Sequence, residues 1–259
     1  MNWPATKKVK GKKKVNQIKT QYQNLKKGTI VEDFIDGPKP LRASDSFDRE
    51  AVNEWVKESV PSLSNLSGIP EIFQYRGGAS NLTYLLKYKE KEIILRRPPR
   101  GHKAKSAHDM GREYKVMKAL KTQYPYVPEM IAFCDNEELI GGQFYLMERM
   151  KGVIPRKDFP KGMEVGEERA RKLCFGLFDR LIELHQVDIK EAGLLDLGKG
   201  KGYVKRQVEG WTDRFERSKT WNVPGFKKIM AWLKDNQPDD ASTCLIHNCL
   251  LYTSPSPRD

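Results

Sequence analysis

Between Ile72 and Arg97 three apolar runs are separated by a Gly-Gly turn and a charged turn, and the third run ends in two arginines. Ile72-Phe73-Gln74-Tyr75, Thr83-Tyr84-Leu85-Leu86-Lys87-Tyr88 and Glu92-Ile93-Ile94-Leu95-Arg96 are rich in aromatic and β-branched residues, which predicts three antiparallel strands. The spacer Arg76-Gly77-Gly78-Ala79-Ser80-Asn81 puts small residues where backbone amides can face a ligand without side-chain obstruction. Glycines reach the positive φ values that build a concave nest of N–H donors, and such nests hold anions such as phosphate. Gly-Gly between strands is more often an ordinary hairpin turn. The residues beyond Arg97 decide between the two.

Pro98-Pro99 cannot continue a strand, because proline lacks the ladder donor. Met110, Tyr114, Met117 and Leu120 then mark one face of a helix from about Ala107 to Thr122, with Glu113 beside that face. Met130-Ile131-Ala132-Phe133-Cys134 and Gln143-Phe144-Tyr145-Leu146-Met147-Glu148 read as two more strands, joined through Gly141-Gly142. Upstream, Phe47, Ala51, Val52, Trp55 and Val56 recur at helical spacing behind Ser46 as the expected cap. Residues 1–43, with Gly37-Pro38-Lys39-Pro40, read as a tail and linker. From Val165 onward the pattern is helical. Ala170, Leu173, Cys174, Leu177, Phe178, Leu181 and Leu184 form one stripe ending at His185, a capping or core histidine on this reading. Val204, Val208, Trp211 and Phe215 form a second stripe, and Phe226, Ile229, Met230 and Leu233 a third. Lys151-Gly152 is the expected boundary between a mixed lobe, 44–150, and a helical lobe, 151–248, with a ligand in the cleft between them.

The formal charge of +13 suggests a nucleic-acid partner until it is located. Lys7, Lys8, Lys10, Lys12, Lys13, Lys14, Lys19, Lys26 and Lys27 all precede the first acidic residue, Glu32, so the globular remainder is only mildly basic. Such a run reads as a solvated, disordered tail; polyanion binding through residues 7–27 is the other reading. Mean hydropathy is −0.68. No apolar run approaches the roughly 20 residues of a membrane span, so no membrane association and a cytoplasmic location are expected. Cys134, Cys174, Cys244 and Cys249 have neither metal-ligand spacing nor the density of a disulfide scaffold, and reduced, mostly buried thiols are expected.

Three motifs in order carry a family resemblance: Gly77-Gly78-Ala79-Ser80-Asn81-Leu82-Thr83-Tyr84, Leu95-Arg96-Arg97-Pro98-Pro99, and Ala107-His108-Asp109-Met110-Gly111-Arg112-Glu113-Tyr114. Over about residues 46 to 248 the chain resembles the aminoglycoside phosphotransferase-like family, in particular the phosphotransferases that stand alone or are fused to acyl-CoA dehydrogenases. The resemblance implies an α+β, protein-kinase-like two-lobe fold: a five-stranded antiparallel N-lobe sheet with one helix, and an incomplete helical C-lobe. It implies ATP and Mg2+ as cofactors and a small-molecule acceptor, a hydroxyacyl-CoA among those possible. Gly77, Gly78, Ala79, Ser80 and Asn81 would cover the phosphates. Arg96 would stand where kinases place the phosphate-neutralising lysine, with Glu113 holding it. Arginine there departs from the wider fold, though it is usual in the branch this chain resembles; its planar fork binds phosphate bidentately but is bulkier than lysine. Glu148, Arg149 and Met150 would form the hinge whose backbone meets adenine. Arg97, Arg100, His102, Lys103 and Lys105 crowd one segment, as a solvated turn or as a contact for a phosphorylated or CoA-bearing substrate.

Leu245-Ile246-His247-Asn248 resembles the opening of the catalytic loop, which continues in the family with an aspartate base and an asparagine metal ligand. Here Cys249 follows. Residues 249–259 resemble no part of the family and match one reading frame of a transposase adapter used in sequencing libraries. The expectation is a gene interrupted inside its catalytic loop, leaving His247 as its one catalytic-loop residue, no metal ligand, negligible turnover and at best weak nucleotide binding. A nucleotide-binding pseudokinase with a polyanion-binding tail is the alternative.

Overall fold

The computed structural model describes residues 34–75, 81–99, 109–155 and 158–247. Six antiparallel strands form one sheet: β1 (Lys39–Pro40), β2 (Glu71–Tyr75), β3 (Leu82–Lys87), β4 (Glu92–Arg97), β5 (Met130–Cys134) and β6 (Phe144–Glu148), in the order β1-β2-β3-β4-β6-β5. Five were expected. The sixth comes from the segment read as linker: Lys39 pairs with Gln74 and Pro40 with Phe73 at the sheet's edge, where proline's missing donor is tolerated. Buried Gln74 fixes this segment, its Nε2 donating to Asp45 Oδ2 at 2.8 Å while its Oε1 accepts from Arg42 N at 3.3 Å.

Strand alternation gives the sheet two differently used faces. Tyr84, Leu86, Ile93, Leu95, Phe144 and Leu146 point to one, where they pack with Val52 and Val56 of helix α1 (Arg49–Ser59). Trp55 meets Phe144 edge-on at 4.9 Å. The cap of α1 is Asp48, whose Oδ1 accepts from Ala51 N at 3.0 Å; Ser46 instead closes a 3-10 turn over Ala43–Asp45. The other face carries Thr83, Ile94, Arg96, Tyr145 and Met147, alternate in sequence to the first set. There helix α2 (Met110–Leu120) packs Met110 against Met130 and Tyr145. Asp109 caps it, accepting from Arg112 N at 2.8 Å.

Leu120, at the far end of α2, joins the helical region by packing with Leu184, Val187, Ala192 and Leu194. Gln123 brackets the junction, accepting from Asp188 N at 3.0 Å and donating to Asp188 O at 3.2 Å. Helices α3 (Glu167–His185), α4 (Tyr203–Ser218) and α5 (Lys227–Asp235) follow. The stripes expected to be core are largely uncovered: Leu173, Leu177 and Phe178 of α3, Trp211 of α4 and Trp232 of α5 are all at least half exposed, and within α3 itself only Leu184 is buried. His185 is exposed at the end of α3, and Cys174 and Cys244 are exposed where buried thiols were expected; Cys134 is buried. No helix among the described residues is long and apolar enough to cross a membrane.

Candidate functional site

Register builds the site. Arg96 lies opposite Thr83 on β3 and opposite Tyr145 on β6, so three side chains form a row across the cleft face. Glu113 is in the first turn of α2, which packs over the same face. Arg96 Nε lies 3.2 Å from Glu113 Oε2, with both side chains about one-third exposed. That nitrogen is buried yet makes no aligned hydrogen bond, so the contact is an ion pair by proximity rather than a shared proton. Asn81 Nδ2 donates to Glu113 Oε1 at 2.8 Å, and the Tyr145 hydroxyl donates to Oε2 at 2.9 Å. Burial drives the Tyr145 phenol far above its ordinary value; nearby Arg96 pulls it down and Glu113 pushes it further up, so it remains a donor.

Beside Arg96 a cleft of about 360 Å³ opens between the sheet and the chain leaving β6. Thr83, Ile94 and Met147 lie on its sheet side, Met150 and Ile154 on the outgoing chain, and Ile35 and Asp36 close it from the N-terminal side. Its lining is mainly apolar, as a flat aromatic ligand requires, and Arg96, Arg149 and Lys151 are the cations among its lining residues. The backbone amide of Glu148 is used, donating to Glu129 O at 2.9 Å; that of Met150 makes no backbone hydrogen bond among the described residues. The outgoing chain is held by Glu92, whose Oε2 lies 2.7 Å from Arg149 Nη1 and 3.1 Å from Lys151 Nζ. Burial would raise the Glu92 carboxyl, but the hydrogen bonds from Lys151 and Arg149 outweigh it and hold it below its ordinary value.

The structure therefore brings together Asn81, Arg96, Glu113, Glu148 and Met150. Gly77, Gly78, Ala79 and Ser80 lie outside the described residues, as do Arg100, His102, Lys103, Lys105 and the Ala107-His108 pair. His247 is exposed and does not line the cleft; nearby Leu245 packs beside Leu120 and Leu184. Arg97 is no surface cation. It is 0% exposed on the α1 face, donating from Nε to the Tyr84 hydroxyl at 3.2 Å, from Nη1 to Ile140 O at 3.1 Å and from Nη2 to Asp45 O at 3.2 Å. Its neighbour Arg96 reaches the cleft because successive strand residues face opposite ways. Tyr145, Thr83 and the Ile35-Asp36 wall were not anticipated. The first two follow from Arg96 once pairing is known, but alternation alone does not give the pairing. Nothing in the local sequence marks residues 35 and 36.

No three His, Cys, Asp or Glu side chains among the described residues cluster as metal ligands would, and between Asn248 and Asp259 the sequence has no carboxylate.

An antiparallel sheet, a helix presenting a glutamate to a strand-borne cation, and a helical region beyond a hinge define a kinase-like phosphotransferase architecture. The chain belongs to the phosphotransferase enzyme family (APH), whose sequence profile matches residues 71–248. Among relatives, acyl-CoA dehydrogenase family member 11 of Rattus norvegicus is 34% identical over 203 residues, covering 78% of this chain and 26% of that protein. The Homo sapiens member 11 is 36% identical over the same length and coverage. Family member 10 of Mus musculus is 29% identical over 213 residues, covering 82% of this chain and 20% of that one. The chain thus spans about a quarter or less of these relatives. A crystal structure from Ralstonia eutropha JMP134, assigned to the aminoglycoside phosphotransferases, superposes with a TM-score of 0.61 at 30% identity over 76% of this chain and 56% of that one.

Proposed function

We propose that the cleft binds ATP, with adenine between Ile94 and the Met150 segment and the phosphates against Arg96, and that the intact protein transfers the γ-phosphoryl group to a hydroxyl of a small molecule. The observation that supports it is the Arg96–Glu113 approach of 3.2 Å, with Arg96 among the residues that line a mainly apolar cleft. In-line phosphoryl transfer needs positioning and charge neutralisation more than covalent chemistry. A cation held by a carboxylate at the phosphate end supplies the second. Magnesium bound with the nucleotide would complete the charge balance. A hydroxyacyl-CoA acceptor fits the relatives' names and is our choice of first substrate to try. The chain itself carries Cys249 after Asn248, where the family's base is an aspartate; a thiol does not orient a hydroxyl nucleophile as a carboxylate does. It is expected to bind nucleotide without turning it over.

Calorimetric titration of this chain with ATP and with adenosine tests the reading. ATP is expected to bind more tightly than adenosine, and Arg96→Ala to abolish the difference. Equal affinity for the two ligands, or an unchanged preference in Arg96→Ala, would refute it.

A further inference from the structure

Glu113 is held by more than its arginine. Its Oε1 accepts from Asn81 Nδ2 at 2.8 Å and its Oε2 from the Tyr145 hydroxyl at 2.9 Å, so each oxygen has an aligned neutral donor before Arg96 is considered. Arg96 Nε, 3.2 Å from Oε2, is not aligned with it. A free carboxylate facing a guanidinium normally takes it in a two-pronged pair that occupies two N–H groups. Here that pairing is pre-empted. Asn81 and Tyr145 are buried, and Tyr145 is packed between Met110 and Met130, so neither donor can drift away. Asn81 directly precedes β3, so its side chain links the start of that strand to α2.

We propose that Asn81 and Tyr145 are positioning residues that clamp the Glu113 carboxylate, so that it attracts Arg96 without capturing its N–H groups and leaves the guanidinium free for phosphate oxygens. This moves Asn81 from a direct nucleotide contact to a role exerted through Glu113. The inference rests on the nucleotide reading above. Without the clamp, Glu113 rotates onto Arg96, the two lock together, and phosphate must compete with a carboxylate for the same donors.

The test is the ratio of ATP to adenosine affinity in Asn81→Ala and Tyr145→Phe, the latter keeping the ring and its packing while removing only the hydroxyl. Each is expected to weaken ATP about tenfold, the usual effect of losing one hydrogen bond to a charged group, and to leave adenosine within about twofold. A merely structural role would weaken both ligands together or neither. If Arg96→Ala abolishes the ATP preference while both variants keep it, the clamp is wrong and the nucleotide reading survives. If Arg96→Ala leaves the preference intact, both fall. Independently of nucleotide, urea unfolding of Asn81→Ala, Glu113→Gln and the double variant is expected to be non-additive; additive losses would overturn the clamp.

Discussion

Arg96 and Arg97 are identical in chemistry and adjacent in sequence, and the pleat sends them to opposite faces. Arg97 is a fully buried cation whose donors end on two carbonyls and a phenol, with the rings of Phe47 and Tyr84 beneath it. It ties together the Ala43–Asp45 turn, β3 and the turn before β6. Removing it takes the side-chain donor from Ile140 O and one hydrogen bond each from Asp45 O and the Tyr84 hydroxyl, which still bond to each other at 3.0 Å, so Arg97→Ala is expected to cost about 3 kcal/mol in urea unfolding. Arg96, partly exposed and unaligned with its partner, is expected to cost under about 1 kcal/mol in the same measurement. A reversed order would mean that the faces have been misassigned. Glu92 gives a pH signature. Its folded carboxyl sits below the ordinary value of 4.5, so its contribution is fully present above that value and is lost as pH falls through the lower, folded one. The melting temperature of the wild type is expected to exceed that of Glu92→Gln at neutral pH and to converge with it in acid, once the pH has fallen below the lowered folded value. A gap that persists or widens there would show that the hydrogen bonds from Arg149 and Lys151 do not act as described.

At the scale of elements, α2 is the part on which the site depends most, because its first turn carries Glu113. Asp109 satisfies the Arg112 amide at its N-terminus. Asp109→Ala is expected to lower stability by about 1 kcal/mol and to raise amide exchange in the first turn, and unchanged exchange would show the turn is held by packing alone. The strands were legible because β-branched and aromatic runs bounded by glycine and proline have few other solutions. β1 was not, since Lys39-Pro40 carries no strand propensity and exists only because β2 offers an open edge. The cap of α1 was misplaced by two residues because Ser46 and Asp48 are equally good cap chemistry, and only the backbone decides. Of the site, the pairing of Arg96 with Glu113 could be read from motif order. Its support by Asn81 and Tyr145 could not, because it depends on which side chains meet across the sheet and helix.

Over the whole molecule the two regions differ in how well their apolar faces are covered. The sheet has helices on both faces, whereas Phe178 at 58%, Trp211 at 64% and Trp232 at 61% exposure lie on helices whose stripes were expected to be core. A stripe in sequence says which residues are apolar; it does not say that anything covers them. Exposed apolar area on this scale favours association. The chain is expected to enhance the fluorescence of a hydrophobic dye and to self-associate with rising concentration, and Trp232→Asp to reduce both while shifting stability by less than about 0.5 kcal/mol. A dark, monomeric chain would mean that this face is covered.

The cleft, the arginine and the carboxylate derive their meaning from a bound nucleotide, so the most direct measurement is a crystal structure of this chain with a non-hydrolysable ATP analogue. The account predicts adenine against Ile94 within reach of the Met150 amide, and a phosphate oxygen within hydrogen-bond distance of the Arg96 guanidinium. A nucleotide bound with its phosphates directed away from Arg96, or bound elsewhere with the cleft empty, would contradict it.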